Sequence, residues 1–440
     1  MTIETFTFPN GFRLIHEKSK SQISISSIYC FVDLGSVYET DNIRGGSHFI
    51  EHLCFKGTKK LPSTIDISTE YDKNGAYFNA FTENRLTCYK VKTQDDYIEH
   101  CITILSDIML NSTFPKKEFT KEENVVIEES IQNKDDPQEL LYEMGNTLLY
   151  NGSSYSYSVD TFDYHKQKFK YEDIVALYKT FYHPSRFVLS IVSNYSFEKI
   201  KKMLKKTYFL QNRKMTNCDN YPIYYSLIPQ TDIQYKIKEK SGLHATYLLI
   251  AFRTCNHQHT DRYCLNMFKN LLSGTSSSRL FILLRDEHGL TYSSDAYTTY
   301  YEHSGEFTIY TEVDNTKIIK DGNKKGVLPL IIWLINDLIT NGITQEEFNL
   351  TKNNYNGKQI LKQGNIDLHA NHNGREFLIY GKNVTSISDM YNVFYKDINK
   401  NDIERVIKTY FKKQNMNVCL YGSNIPSLNV IKRECEHILQ

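Results

Sequence analysis

The sequence predicts an α+β fold built from two related domains, about 1–212 and 228–440. Three observations carry that reading. Strand patterns and helix patterns both occur in the first third of the chain, a weak internal repeat links the two halves, and a polar segment lies between them.

In chain order, "ISISSIYCFVDLG" at 23–35 partly alternates apolar and polar residues and is rich in β-branched types, so it reads as a strand. "AYFNAFTENRLTCYKVK" at 76–92 reads as two strands around a polar loop at "TENR". A helical pattern runs from about 97 to 110, and another is expected from Thr120, where Thr120 and Glu123 have capping-box spacing ahead of "NVVIEESI". The repeat matches "LSDIMLNSTFPKKEF" at 105–119 with "LINDLITNGITQEEF" at 334–348, pairing Asp107 with Asp337 and Phe119 with Phe348. The join is "QNRKMTNCDNYPIYYSLIPQTD" at 211–232.

A chain of 440 residues with 40% hydrophobic and 23% charged residues is an ordinary globular composition. With a net charge of +1, the basic run "KKMLKK" at 201–206 interleaves with Ile200, Met203 and Leu204, which is a solvated helix face and not a nucleic-acid stripe. Nine cysteines without a CxxC pair predict reduced thiols in a cytosol-like compartment. No apolar leader, transit peptide or 18-residue apolar run is seen, so neither export nor a membrane partner is expected.

The chemistry concentrates in "GGSHFIEHLCFKGT" at 45–58. Residues i and i+4 share a helix face, so His48 and His52 can converge on one metal while Phe49, Ile50 and Leu53 pack elsewhere. Two imidazoles leave coordination positions open for water, and Glu51 can reach that water as a general base. The pattern is HxxEH, the inverted zinc-peptidase motif. In this composition it arises by chance in roughly one chain in thirty, so a third ligand decides its meaning. Glu122 and Glu129 lie seven residues apart, almost two helical turns, and project from one face that could meet the histidine helix or face solvent.

"GGSHFIEHLCFKGTKK", "NGAYFNAFTENRLTCY" and "KEENVVIEESI" follow, in order and spacing, a pattern that resembles the pitrilysin family of inverted-motif zinc peptidases, which includes insulin-degrading enzyme and mitochondrial processing peptidase. The resemblance implies Glu129 as third zinc ligand beside His48 and His52, with Glu122 supporting the site; Glu128 would point about 100° away. It implies one zinc per chain. It also implies two domains, each a mostly antiparallel sheet packed with helices, that form half of a clamshell peptidase. Asn79, Ala80 and Phe81 resemble the edge strand along which family substrates lie as an added β-strand.

In the second half, "LLRDEHGLTYSSDAY" at 283–297 resembles the motif in which an Arg and a Tyr bind substrate and stabilise the oxyanion; here these are Arg285 and Tyr292. The position equivalent to Glu129 is Lys358, and "GTSSSRLFILL" lacks histidine, so only the first domain is expected to hold zinc. "LLSGTSSSRLF" is too short and glycine-poor to be the family's presequence-capturing loop. Because one chain of half length carries both residue sets, a homodimer or a related partner subunit is expected. "CNHQHTDRYC" at 255–264 matches no closed zinc module and reads as a polar connection, and "HANH" at 369–372 reads as a helix surface. The expected activity is a zinc endopeptidase of peptides or unfolded oligopeptides; the alternatives are a catalytically silent structural subunit and a peptide-binding scaffold.

Overall fold

In a computed structural model of the chain, residues 3–19, 22–159, 168–381 and 384–438 are described. The strands are β1 Ile3–Thr7, β2 Arg13–Lys18, β3 Ile25–Val32, β4 Tyr77–Thr82, β5 Thr87–Gln94, β6 Phe187–Ser193, β7 Gln234–Glu239, β8 Ala245–Thr254, β9 Ser294–Tyr300, β10 Gly305–Asp314, the short ribbon β11 Lys320–Asp321 and β12 Lys324–Lys325, and β13 Met416–Gly422. The α-helices are α1 Gly46–Leu53, α2 Thr64–Asp72, α3 Ile98–Leu110, α4 Lys116–Asp135, α5 Pro137–Leu149, α6 Tyr171–Phe181, α7 Phe197–Leu204, α8 Asp261–Ser273, α9 Val327–Thr340, α10 Gln345–Lys362, α11 Ile366–Tyr380, α12 Ile387–Met390, α13 Lys400–Tyr410 and α14 Leu428–Cys435.

Two compact units result. The first comprises residues 1–132, 157–224 and 359–390, and the second 133–156, 225–358 and 391–440. The first contains a six-stranded sheet in the order β1-β2-β6-β3-β5-β4, parallel at β2–β6 and antiparallel elsewhere. The second contains a five-stranded sheet in the order β7-β13-β8-β10-β9, parallel at β7–β13 and antiparallel elsewhere. The two sheets share one pattern: Arg13 faces Val188 in the parallel pair of the first as Gln234 faces Asn417 in that of the second. It also recurs in side chains. Asn111 Nδ2 donates to Asp107 Oδ1 at 2.6 Å, and Asn341 Nδ2 donates to Asp337 Oδ1 at 2.7 Å, at the ends of α3 and α9.

The units do not follow the sequence halves, because each half sends one helix to the other's sheet. α5 packs on β8, β13 and β7, and α11 packs on β6, β3 and β2. Close approach requires glycine in the second case and leaves little room beyond it in the first. A Cβ on Gly374 of α11 would lie 2.2 Å from Phe31 Cε2, and one on Gly145 of α5 would lie 3.2 Å from Leu249 Cδ2. α11 closes the first core with Ala370 and Phe377 over Ile15, Phe31, Val188 and Val192. Burying that apolar area is the main stabilising term.

Three local expectations need correction or refinement. The helix expected from Thr120 starts at Lys116, directly after Pro115, whose carbonyl accepts from Phe119 N–H; Thr120 is one turn inside and bonds back to Lys116 O. Glu123 is no cap; it accepts from Phe169 N–H at 2.8 Å. "HANH" does lie on a helix, but not on its surface: His369 is 2% exposed, and its Nδ1 lies 2.9 Å from Glu17, a fully buried carboxylate that also accepts from Asn373 Nδ2 at 2.7 Å. A charge that faces no water needs such partners. All nine cysteines are free thiols, eight of them buried. Among the described residues no single helix is long and apolar enough to cross a membrane.

Glu306 on β10 is another buried carboxyl, 5% exposed. Burial, only partly offset by hydrogen bonds from Thr299 and Tyr150, pushes its pKa from 4.5 up to about 7. A carboxyl raised in the folded state stabilises fully below pH 4.5, and that contribution is lost as pH rises through about 7. The shift corresponds to roughly 3 kcal/mol. Glu306→Gln is therefore expected to flatten stability between pH 4.5 and 7 and to raise the urea midpoint at pH 8. A variant no more resistant than wild type at pH 8 contradicts this.

Candidate active site

The site grows from α1, a core helix with one polar face. Gly45 takes φ +80° at its N-terminus, a left-handed conformation that glycine adopts without strain. The backbone N–H groups of Gly45 and Ser47 both donate to the carboxylate of Glu39, each at 2.7 Å. Burial pushes Glu39's pKa up, against those two bonds, so the clamp holds in a dry environment. Phe49, Ile50 and Leu53 are fully buried, and Phe49 stacks on Phe169 with ring centroids 4.6 Å apart. These contacts fix which way His48, Glu51 and His52 point.

His48 and His52 point toward α4, and Glu51 toward β4. His48 Nε2 and His52 Nε2 lie 3.1 Å apart, and Glu129 Oε2 lies 3.9 Å from the first and 3.6 Å from the second. Bonds of about 2.0–2.2 Å at tetrahedral angles put zinc ligands roughly 3.3–3.5 Å apart, so this donor set fits a zinc ion with only small shifts. Two imidazoles and a carboxylate are also the donor chemistry of catalytic zinc sites. Among the described residues this is the group of three or more His, Cys, Asp or Glu whose ligand atoms converge, all within 4.8 Å. Of the polar connection expected at 255–264, Cys255 and His257 are buried and Cys264 is buried on α8 itself. Glu128 is exposed, as the helical phase predicts.

His52 Nδ1 lies 2.8 Å from Glu122 Oε1, and Lys56 Nζ lies 2.6 Å from Glu122 Oε2. Burial opposes ionisation of Glu122, but the bonds from His52 and Lys56 outweigh it and hold the carboxyl below its usual range. An ionised Glu122 favours a proton on His52 Nδ1, the tautomer in which Nε2, which faces His48 and Glu129, is the ligating atom. Glu51 is 7% exposed; burial pushes its pKa up, with the Thr82 hydroxyl and the two histidines partly offsetting it. A carboxylate whose pKa is raised by burial is a stronger base than an exposed one, which suits a proton acceptor.

Beside this face runs β4, at the end of its sheet; among the described residues it pairs with β5 alone, so its other edge has no strand partner there. Asn79 is exposed, Ala80 and Phe81 half-buried. The strand's last residue, Thr82, donates from Oγ1 to Glu51 Oε2 at 2.6 Å.

A family model described as Insulinase (Peptidase family M16) matches residues 14–160, and one described as Peptidase M16 inactive domain matches residues 168–355. The chain belongs to the insulinase family of peptidases. It is similar to an uncharacterized zinc protease, YmxG, of Bacillus subtilis, with 28% identity over 92% of this chain and 94% of the relative. The beta subunit of the mitochondrial-processing peptidase of Caenorhabditis elegans is 25% identical over 86% of this chain and 81% of its own. The fold matches the crystal structure of a protease from Helicobacter pylori with a TM-score of 0.87 at 21% identity, covering 96% of this chain and 99% of that one.

In this insulinase-family chain, Arg285 and Tyr292 belong to the second unit. Arg285 sits on a π-helical turn, Phe281–Glu287, and donates from Nη1 to the carbonyl of Tyr292 at 3.1 Å. Its guanidinium lies 4.6 Å from the centre of the Tyr292 ring, which is 84% exposed. The two residues are thus held as a pair on the surface of that unit's own structure.

The second unit places Lys358, the position paired with Glu129 in the repeat, among hydrogen-bond acceptors. Lys358 on α10 donates to Asn270 Oδ1 at 2.7 Å and to Gly274 O at 2.6 Å, two positions four apart, as Glu129 approaches His48 and His52.

Sequence reasoning missed three residues that hold the site: Glu39, Lys56 and Thr82. Lys56 carries only the signal of standing four residues after His52, and it lies beyond the end of α1 at Leu53. Glu39 acts through a loop and carries no local signal. Thr82 differs because its strand was recognised while its bond to α1 crosses 31 residues.

Proposed function

We propose that this chain is a zinc-dependent metalloendopeptidase of peptides or unfolded oligopeptides. The observation that carries the reading is the convergence of His48 Nε2, His52 Nε2 and Glu129 Oε2 beside the buried carboxyl of Glu51. Zinc held by His48, His52 and Glu129 would supply a Lewis acid for the scissile carbonyl and lower the pKa of the attacking water. Glu51 takes the proton of that water on the oxygen that Thr82 leaves free, then returns it to the departing amine. Glu122, fixed by Lys56, keeps His52 in the tautomer that ligates through Nε2. The open edge of β4 at Asn79, Ala80 and Phe81 receives the peptide as an added strand, through backbone bonds indifferent to its sequence. The reading is tested by exposing a mixed peptide library to zinc-loaded protein and reading the cuts by mass spectrometry; an intact library removes it.

The same reading places Arg285 and Tyr292 of a second copy opposite the site, where they bind substrate and stabilise the oxyanion. Two copies then enclose a peptide-sized chamber. Neither Arg285→Ala nor Glu51→Gln alone should be active, but a mixture that exchanges subunits should recover up to about a quarter of wild-type activity, since one site in four is then intact. No recovery after exchange contradicts the shared site.

A further inference from the structure

The bond from Thr82 to Glu51 joins the site's acid to the strand beside it, and the hydrogen-bond pattern of β4 shows what else that strand residue does. Glu83 N–H donates inward to Leu86 O, and Thr82 pairs with Thr87 across β5. In an antiparallel ladder successive N–H groups point to opposite edges, so the N–H of Thr82 and that of Ala80 face outward. Ala80 bears this out: its N–H is taken up not by β5 but by the exposed side-chain oxygen of Asn79, at 2.8 Å. An arriving strand would meet one outward donor covered by a movable amide and a second on Thr82 itself.

We propose that Thr82 is a positioning residue that ties the seat of a peptide on β4 to Glu51, its backbone N–H facing the docked strand while its hydroxyl holds Glu51 Oε2. The inference rests on the peptidase reading. A peptide bonded at the Thr82 backbone fixes the residue from which Glu51 is held, so the carboxylate is aligned by the same strand that aligns the scissile bond. With one oxygen of Glu51 holding the Thr82 hydroxyl, the plane of the carboxylate and the direction of its other oxygen are set. Loss of the hydroxyl frees the carboxylate to rotate without touching His48, His52 or Glu129, which predicts an effect on turnover and not on metal binding or substrate affinity.

The test compares wild type, Thr82→Val and Thr82→Ser, all zinc-loaded, on one peptide that wild type cleaves. Thr82→Val, the same shape without the donor, is expected to lower kcat about 10- to 100-fold with KM within about twofold, zinc content and melting temperature unchanged. Thr82→Ser, which keeps the hydroxyl, is expected to recover most of kcat. Wild-type kcat in Thr82→Val, or a loss that serine fails to restore, overturns the inference. A second readout does not depend on cleavage. In metal-free protein, the infrared band of the Glu51 carboxyl, identified by its absence in Glu51→Gln, should shift in Thr82→Val. An unshifted band overturns the positioning role, whereas failure of wild type to cut any peptide removes the peptidase reading and leaves the band to decide the Thr82–Glu51 bond.

Discussion

Glu51→Gln is expected to lower kcat by about 1,000-fold, within the 100- to 10,000-fold range of general acid–base contributions, while the protein still binds one zinc per chain. The substitution keeps the shape of the side chain, and the glutamine carbonyl can still accept from Thr82 Oγ1, so the fold of α1 against β4 is retained. What is lost is the ability to take a proton. His48, His52 and Glu129 are untouched, so metal content separates loss of the base from loss of the site. Activity of the glutamine variant within tenfold of wild type, at equal zinc content, contradicts the assignment of Glu51.

The second large effect concerns the ligands and the residue behind them. Glu122→Gln removes the charge that orients His52 but leaves all three donor atoms, and such supporting groups are worth about 10- to 100-fold in metal affinity. Glu129→Ala removes a donor itself and must weaken zinc further than that, so zinc is lost on dialysis and activity with it. The ordering is the prediction: Glu129→Ala below Glu122→Gln below wild type, measured by competition with a chromogenic chelator. Glu129→Ala binding zinc as tightly as wild type would remove Glu129 from the ligand set.

Much of this architecture was legible because it depends on short-range periodicity. β3, the β4–β5 pair and α3 lie where alternation and helical spacing put them, and the repeat is repeated in space by Asp107–Asn111 and Asp337–Asn341. The His48–His52 face was legible for the same reason, since four residues on a helix determine their own proximity. Glu129 was harder. Its seven-residue spacing from Glu122 defines a face, but only tertiary packing shows that the face meets α1.

What could not be read was set by distant partners. His369 looked like a surface residue because nothing near it in sequence announces Glu17, 352 residues away. The start of α4 was misplaced because capping-box spacing at Thr120 competed with Pro115, and proline wins by ending the preceding chain direction and presetting φ. The exchange of α5 and α11 left no mark, since an amphipathic helix states that it has an apolar face and not which sheet will cover it.

The central claim is that this chain holds one catalytic metal, in the first unit, on His48, His52 and Glu129. Crystals of the zinc-loaded protein, measured on both sides of the zinc absorption edge, test it directly. The expected anomalous difference map has one peak per chain, about 2.0–2.2 Å from His48 Nε2, His52 Nε2 and a Glu129 carboxylate oxygen, and none beside Lys358. A fully loaded crystal whose peak lies elsewhere, or in which Glu129 stands away from the metal, would contradict it.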